Sequence, residues 1–285
     1  MRINAPGPDQ IGAEIVEFRS QDCTAEEARR IVAAVYAHKL VVFKGQRLSN
    51  PEYVAFARQL GQPQVYFQPN YHHPDHPEIF VSANVKLDGK KVGVAGTGRY
   101  WHTDYQFMPE PLPLTMVYPQ QWSREARGTH YIDMARVLAQ LPAELSSQLE
   151  DRRAVQEGKW RYKVQEKDID RSLAEIMEEI ERTVPASLHP AIITHPVTGV
   201  RSLYVSSGFT TGFQGLSEGE SKRLLSTLVE HTERPENVHT QVWNEGDLLL
   251  WDNRTLIHQA SATPPGEASV SFRIGVYDGQ PFYRA

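Results

Sequence analysis

Residues 246–261 read "GDLLLWDNRTLIHQAS", an apolar run typical of a buried β-strand followed by polar residues. Similar short runs recur along the chain between turn residues, for example "LTMVYP" (114–119) and "SVSFRIGVY" (269–277). Many short strands with segregated helices favour a mainly β protein with flanking helices, in the α+β class. The specific prediction is a double-stranded β-helix, or jelly-roll, core in a single domain that spans residues 1–285.

Helices are predicted near the N-terminus and within this strand pattern. The segment "TAEEARRIVAAVYAHK" opens with Thr24 and Glu27 in the spacing of a capping box. In "NPEYVAFARQLG", Asn50 is the predicted N-cap of a second helix and Gly61 its stop. Helical patterns are also present near 134–150, 170–183 and 217–232.

Composition narrows the classes of protein that the chain can belong to. Of its 285 residues 40% are hydrophobic, and a net charge of −5 gives no electrostatic basis for binding nucleic acid. Cys23 is the only cysteine, which excludes an intrachain disulfide and a thiolate metal cluster. The N-terminal segment lacks the pattern of a signal peptide, and no apolar run approaches the roughly 20 residues of a membrane span. These features predict a cytoplasmic protein without a membrane partner.

The stretch "RYWHTDYQF" contains a histidine and a carboxylate two residues apart, His102 and Asp104. If this stretch is a strand, the two side chains lie on the same face and can bind one ion. A hydrogen-bonded pair that only satisfies two polar groups is the simpler alternative. A third ligand from elsewhere in the chain is needed to decide between them.

His258 supplies that third ligand at the end of the stretch that begins at residue 246, and Arg273 follows it by 15 residues. Two histidines and one carboxylate form a facial triad, which leaves open positions on Fe(II) for a bidentate cosubstrate and O2. The planar fork of an arginine suits the far carboxylate of a 2-oxo diacid. The four residues together therefore indicate an iron site for oxidative chemistry.

The motifs WHTD at His102 and Asp104, GT ending at Thr129, and WDNR…H ending at His258 resemble those of the taurine dioxygenase-like Fe(II)/2-oxoglutarate dioxygenases. Their order and separation extend over most of the chain. The resemblance implies that His102, Asp104 and His258 bind Fe(II). It also implies that Thr129 and Arg273 hold 2-oxoglutarate, with O2 as the second cosubstrate.

A narrower resemblance covers four stretches, "VYFQPNYHHPDHPEIFVS", "WHTDYQFMPEPLPLTMVYP", "RGTHYIDMARV" and "RYKV". They look like the isonitrile-forming branch of the family, associated with isonitrile lipopeptide biosynthesis. That branch acts on N-carboxymethyl-3-aminoalkanoic acids, such as N-carboxymethyl-3-aminobutanoate, and forms 3-isocyanoalkanoic acids. The conversion is a four-electron oxidative decarboxylation, which requires two molecules each of 2-oxoglutarate and O2.

The same resemblance implies substrate-binding residues. Lys163, Tyr66 and Tyr71 would bind a substrate carboxylate, and Arg127 would gate or neutralise the other end of the molecule. Phe67 departs from several relatives, which have a second tyrosine there, and so removes one hydroxyl from the predicted site. Each assignment has an alternative, since Lys163 could be a surface charge and the two tyrosines could be core aromatics.

Other functions remain open at this point. A 2-oxoglutarate-dependent hydroxylase of an amino acid or sulfonate uses the same ligands, a jelly-roll protein could hold a metal without turnover, and a zinc hydrolase is compatible with the ligand types. The expected partner is a small-molecule substrate, either free or connected to an acyl carrier protein or synthetase pathway. The sequence leaves homo-oligomerisation open. The glycine-rich loop at 86–99 is either a lid over the site or an ordinary hairpin loop.

Overall fold

The computed structural model describes residues 1–7, 10–87, 89–123 and 128–284. In these ranges the strands are β1 (Arg2–Asn4), β2 (Ala13–Val16), β3 (Leu40–Phe43), β4 (Gln62–Gln64), β5 (His72–His73), β6 (His76–Ala83), β7 (Leu114–Gln121), β8 (Thr129–Asp133), β9 (Arg153–Gln156), β10 (Ser187–Pro190), β11 (Ile192–Thr194), β12 (Arg201–Leu203), β13 (Thr210–Phe213), β14 (Val238–Gln241), β15 (Leu248–Asp252), β16 (Leu256–Ala260) and β17 (Val270–Tyr277). The α-helices are α1 (Ala25–His38), α2 (Asn50–Leu60), α3 (Met134–Gln140), α4 (Ala143–Ser147), α5 (Leu173–Thr183) and α6 (Glu218–Thr232).

The largest sheet has the strand order β1-β2-β3-β15-β7-β17-β6-β5, and β4 pairs with β17. Strands β3 and β15 are buried along their whole length, which explains why their sequences are continuous apolar runs. Val41 and Leu250 face helices α1 and α2 in one core cluster. The alternate residues Leu249 and Trp251 face the opposite way and pack with Tyr131 of β8. Both faces of the large sheet are therefore covered.

A second sheet, β14-β8-β16, supplies the layer on that opposite face. The chain passes from the large sheet to the small one between β15 and β16, through the turn at 253–255. The small sheet gains a further pairing from His102, whose backbone forms two hydrogen bonds with that of His258, 3.0 and 2.7 Å long. The mainly β prediction with flanking helices is confirmed.

The remaining strands and helices build a second core beside these layers. Strands β9, β10 and β13 form a three-stranded sheet, and β11 pairs with β12 in a hairpin. Gly199 in the hairpin turn has a φ of +73°, a conformation that favours glycine. Helices α3 and α6 pack into this second core. Among the described residues, no helix is both long enough and apolar enough to cross a membrane.

The helix predictions hold in position and differ at the ends. Thr24 and Glu27 form the predicted capping box of α1. The N-cap of α2 is Ser49 rather than Asn50, because the Ser49 side chain and backbone both bond to Glu52. The predicted helix near 134–150 is divided into α3 and α4 at Pro142, whose ring is not compatible with a helix interior.

The strand prediction for "RYWHTDYQF" is wrong. Only His102 makes a β-bridge, and the chain turns directly after it, with Tyr105 at a φ of +57°. Thr103 stabilises this turn by placing its hydroxyl 2.8 Å from the Asn253 carbonyl and 2.9 Å from that of Leu256. His102 and Asp104 therefore converge through a turn and not through the alternation of a strand.

Arg254, in the turn between β15 and β16, connects this turn to the C-terminal segment. Its side chain is fully buried and forms two hydrogen bonds with Asp278, 2.7 and 3.0 Å long. Its Nε also donates to the Phe282 carbonyl at 2.9 Å. Replacing Arg254 by alanine leaves the buried Asp278 carboxylate without this partner, so we expect the free energy of unfolding to fall by about 3–5 kcal/mol in urea denaturation.

The matched control is Arg201→Ala, which removes an arginine whose ion pair with Glu150 is about half exposed on both sides. An exposed pair of this kind contributes less than about 1 kcal/mol. Equal losses of stability in the two variants would show that the Arg254 ion pair does not anchor the C-terminal segment.

Candidate metal centre and substrate pocket

His102, Asp104 and His258 meet between the two sheets. One side-chain atom of each lies within 4.8 Å of the others, and the described ranges contain no second such group of histidine, cysteine and acidic side chains. Nε2 of His102 lies 3.7 Å from Oδ1 of Asp104, and Nε2 of His258 lies 3.8 Å from Oδ2. These separations are too long for hydrogen bonds but allow each atom to lie about 2 Å from one ion. The geometry thus favours a metal site over a hydrogen-bonded His–Asp pair.

The protonation of the two imidazoles fits a metal ion. Nδ1 of His102 lies 2.7 Å from the Tyr100 carbonyl oxygen, and a carbonyl only accepts, so the proton is on Nδ1 and Nε2 is free. Burial lowers the pKa of His102. Burial, followed by the neighbouring His102, lowers the pKa of His258 well below its usual value. Both rings are therefore neutral near pH 7, as metal ligation requires.

The Asp104 carboxylate is ionised and fixed in place. Burial on its own would raise the pKa of Asp104, but the charge of Arg273 and the hydrogen bond from Thr115 lower it, and the resulting pKa is about 2. Thr115 donates a hydrogen bond of 2.6 Å to Oδ2, and Nη1 of Arg273 contacts Oδ1. The carboxylate thus supplies a negative charge to the centre over the whole physiological pH range.

The two residues predicted to hold 2-oxoglutarate lie in the same cavity of about 320 Å³ as these three side chains. Arg273 packs its guanidinium 4.1 Å from the centre of the Phe80 ring. Only its Nη1 has a hydrogen-bond partner among the described residues. The N–H groups of Nε and Nη2 are therefore free to donate to a ligand. Thr129 accepts from the Trp243 indole at 3.2 Å, which leaves the hydroxyl hydrogen available. Both side chains can therefore donate to a bound carboxylate.

Tyr66 and Tyr71 form an aromatic wall of the cavity. Their ring centres are 5.0 Å apart, and Tyr71 stacks on Phe80 at 4.6 Å. Burial raises the pKa of both hydroxyls, which therefore remain protonated. Neither hydroxyl bonds to another described residue, so both are available to a ligand. Phe67 lies at the edge of the wall with 40% of its surface exposed.

Lys163 lies in the cavity and not on the outer surface. Its ammonium group donates to the carbonyl oxygens of Ala95 and Gly96, the second at 2.8 Å. Burial, followed by repulsion from Arg99, lowers its pKa. The ammonium group over the Trp160 ring is that of Lys159, 5.3 Å from the ring centre. Lys163 is thus a partly buried cation without a carboxylate partner among the described residues.

Arg161 was not predicted from the sequence, although it also lines the cavity. Two of its nitrogens donate to the carbonyls of Ser207 and Gly208, and its guanidinium lies 4.4 Å from the centre of the Tyr100 ring. Neutral partners therefore hold this charge in a fixed position. The alternation of basic and aromatic residues in "KWRYKV" was the only sequence signal for it. Arg127, the other predicted substrate residue, lies outside the described residues.

The sequence pattern of the family described as "Taurine catabolism dioxygenase TauD, TfdA family" matches residues 4–274. The chain belongs to this family. Fe(II), 2-oxoglutarate and O2 are the cofactors of TauD/TfdA dioxygenases, so the predicted cofactors are confirmed and the chain is a dioxygenase. The site described above contains the His-Asp-His set that this chemistry requires.

The names of the curated relatives in the TauD/TfdA family refer to different substrates or products. Pentalenolactone F synthase of Streptomyces arenae is 28% identical over 89% of this chain and 87% of its own length. An alpha-ketoglutarate-dependent sulfate ester dioxygenase of Pseudomonas putida is 30% identical over 90% of this chain and 82% of its own. Among solved structures, AAD-2 in complex with Mn(II) and N-oxalylglycine aligns over 100% of both chains, with 21% identity and a TM-score of 0.81, which shows the shared fold.

Proposed function

We propose that this dioxygenase converts an N-carboxymethyl-3-aminoalkanoic acid to the 3-isocyanoalkanoic acid. The proposal includes a single jelly-roll domain over residues 1–285 and a cytoplasmic location. Its partner is a small molecule, free or delivered by a carrier protein or synthetase pathway, and the chain can act as a homo-oligomer. The narrower family resemblance and the positive charge of the cavity support this assignment.

His102, Asp104 and His258 are the proposed Fe(II) ligands. A bound Fe(II) would activate O2, which is the oxidant of the reaction, with 2-oxoglutarate as the co-reductant. Arg273 and Thr129 would bind 2-oxoglutarate through the donors that have no protein partner. His102 lies on the β-bridge to the small sheet, His258 lies on strand β16 of that sheet, and Asp104 lies in the turn that Thr103 stabilises. Their positions are therefore fixed before any substrate binds.

The observation that carries the substrate assignment is the group of cations in the cavity. Arg99, Arg161 and Lys163 all line it, and none has a carboxylate partner among the described residues. Lys163 is half-buried, whereas Arg99 and Arg161 are exposed, and cations without a carboxylate partner form charge-assisted hydrogen bonds with an anionic ligand. A substrate with two carboxylates suits such a group. Tyr66 and Tyr71 add hydroxyl donors, and Arg127 keeps its predicted role at the other carboxylate.

The stoichiometry of the proposed reaction is strict. Conversion of R–NH–CH2–COO⁻ to R–N≡C releases CO2 and removes four electrons from the substrate. Each O2 accepts four electrons, two from 2-oxoglutarate as it becomes succinate and CO2 and two from the substrate, so two turnovers are needed. The residues of the chain must hold the methylene group in one place through both turnovers, since positioning determines which C–H bond reacts.

The test is a single incubation of the Fe(II)-loaded protein with 2-oxoglutarate, O2 and N-carboxymethyl-3-aminobutanoate, followed by succinate and product mass. We expect a product that has lost CO2 and four hydrogens, with two succinates per product. Homologues with chains up to decanoate are tested in the same way. Succinate formation no greater than the substrate-free control throughout this series would contradict the proposal.

A 2-oxoglutarate-dependent hydroxylase of an amino acid or sulfonate is the second candidate. The names of the curated relatives favour it, because one acts on a sulfate ester and another on 2,4-dichlorophenoxyacetate. A hydroxylase gives a product with one additional oxygen and one succinate per product. The incubation described above therefore separates the two candidates directly.

Replacing Lys163 by alanine tests the substrate assignment. The variant loses a cation that faces the cavity, so we expect the KM for the substrate to rise about 10- to 100-fold and succinate to form without matching product. Lys159→Ala is the matched control, since Lys159 is paired with Glu157 and Glu181 instead of lining the cavity. Normal coupling and an unchanged KM in Lys163→Ala would show that the assigned role is wrong.

A further inference from the structure

One side of the cavity is apolar and leads away from the metal centre. Phe209 lies next to His102, with ring centres 5.8 Å apart, and Phe107 lies 4.7 Å beyond Phe209. Val184 completes this cluster after the end of α5. We call the space lined by Phe107, Phe209, Val184 and the α5 residues Ile176 and Ile180 the apolar arm.

Helix α5 gives the arm its far wall. Ile176 and Ile180 are one helical turn apart, and both face the cavity. Ile176 is the only buried residue of α5, and neither isoleucine belongs to a core cluster of the protein. An apolar helix face normally packs against other apolar side chains. Here it borders a space that is continuous with the metal centre.

The polar side chains near this wall are already satisfied. Glu179 forms ion pairs with Lys167 at 3.3 Å and Arg171 at 2.6 Å. The Thr183 hydroxyl donates to the Glu179 carbonyl at 2.7 Å. These groups therefore need no polar ligand in the arm to complete their hydrogen bonds. Arg161 and Lys163, the cations that have carbonyl partners but no carboxylate partner among the described residues, line the same cavity.

Gly158 keeps the arm open at its inner end. A Cβ atom at this position would lie 2.7 Å from a ring carbon of Phe107. Any larger residue would therefore push the Phe107 ring out of its position against Phe209. The absence of a side chain at 158 fixes the width of the arm next to the metal centre.

We propose that the apolar arm binds the alkyl chain of the substrate and that the enzyme prefers medium-length chains to the short butanoate compound. This inference rests on the proposed function and adds a chain-length specificity to it. The carboxylates bind at the cations, the N-carboxymethyl carbon lies at the metal centre, and the chain extends past Phe209 and Phe107 towards Ile180. Each buried methylene group then strengthens binding about fourfold.

The test measures binding and turnover along one series, the N-carboxymethyl-3-amino derivatives of butanoate, hexanoate, octanoate and decanoate. Anaerobic calorimetry on the protein loaded with Fe(II) and 2-oxoglutarate gives Kd, and succinate formation gives kcat/KM. We expect both to improve about 100-fold or more between butanoate and octanoate. A flat series, or one that weakens with length, would overturn the inference.

Ile180→Trp fills the arm and is expected to reduce the preference for octanoate over butanoate at least tenfold. Ile180→Ala enlarges the arm and should move the optimum to a longer chain, which provides a second test if the tryptophan variant folds poorly. Leu173→Trp is the matched control on the same helix, since Leu173 is 71% exposed and does not line the cavity. An equal shift in Leu173→Trp and Ile180→Trp would also overturn the inference.

The outcomes separate this inference from the proposed function. Stepwise gains in affinity with a hydroxylated product would leave the arm assignment standing and overturn isonitrile formation. Isonitrile formation without dependence on chain length would do the reverse. No binding by any member of the series would contradict both.

Discussion

An Asp104→Ala variant is expected to lose Fe(II) and, with it, all formation of succinate. The substitution removes the only anionic ligand and leaves two neutral imidazoles. In the unsubstituted protein the Arg273 guanidinium contacts Asp104. The substitution therefore also leaves this cation without its partner next to the metal site. Altering the partners of metal ligands already costs about 10- to 100-fold in metal affinity, so the loss here should exceed about 100-fold. Iron content after anaerobic dialysis and succinate formation are the two measurements.

Two further variants determine whether the loss belongs to the metal site. Thr115→Val removes the 2.6 Å hydrogen bond to Asp104 but keeps the carboxylate, and we expect a smaller loss of about 10-fold. His130→Ala is the control in the small sheet, because its ring nitrogens bond to Thr240 and Ser261 instead of the centre. Stoichiometric iron in Asp104→Ala would show that Asp104 is not a ligand.

The metal ligands could be predicted from the sequence because the chemistry depends on residue type and order. His102, Asp104 and His258 are the types that Fe(II) takes, and an arginine follows them. The geometry that joins them could not be predicted. The alternation argument placed 102 and 104 on a strand, whereas the chain turns at Tyr105 and is held by bonds from Thr103 to carbonyls far along the sequence.

The fold was predictable where local signals decide it. The capping box at Thr24, the apolar strand β15 and the hairpin turn at Gly199 each involve residues close in sequence. The place of Arg161 in the cavity was not predictable, because its guanidinium is positioned by carbonyls 46 and 47 residues away. The same is true of the apolar face of α5. Periodicity in the sequence identifies such a face, but what the face packs against depends on the tertiary structure.

Removing the guanidinium of Arg273 is expected to weaken 2-oxoglutarate binding about 100-fold. The side chain retains two nitrogens for a carboxylate, and charge-assisted hydrogen bonds contribute about 1.5–3 kcal/mol each. Arg273→Lys should recover only part of the affinity, because an ammonium group cannot form two parallel bonds. Calorimetric titration of 2-oxoglutarate into the Fe(II)-loaded Arg273→Ala and Arg273→Lys variants measures both effects.

Iron content must be measured in parallel, because Arg273 also contacts the Asp104 ligand. Loss of 2-oxoglutarate affinity at full iron occupancy assigns Arg273 to the cosubstrate, whereas loss of iron assigns it to the support of Asp104. Arg58→Ala is the control, since that arginine is exposed and paired with Glu78 on the neighbouring strand β6. If 2-oxoglutarate still binds normally to Arg273→Ala while the KM for the aminoalkanoic acid rises, Arg273 binds the substrate, and Thr129 has to hold the cosubstrate with another cation of the cavity.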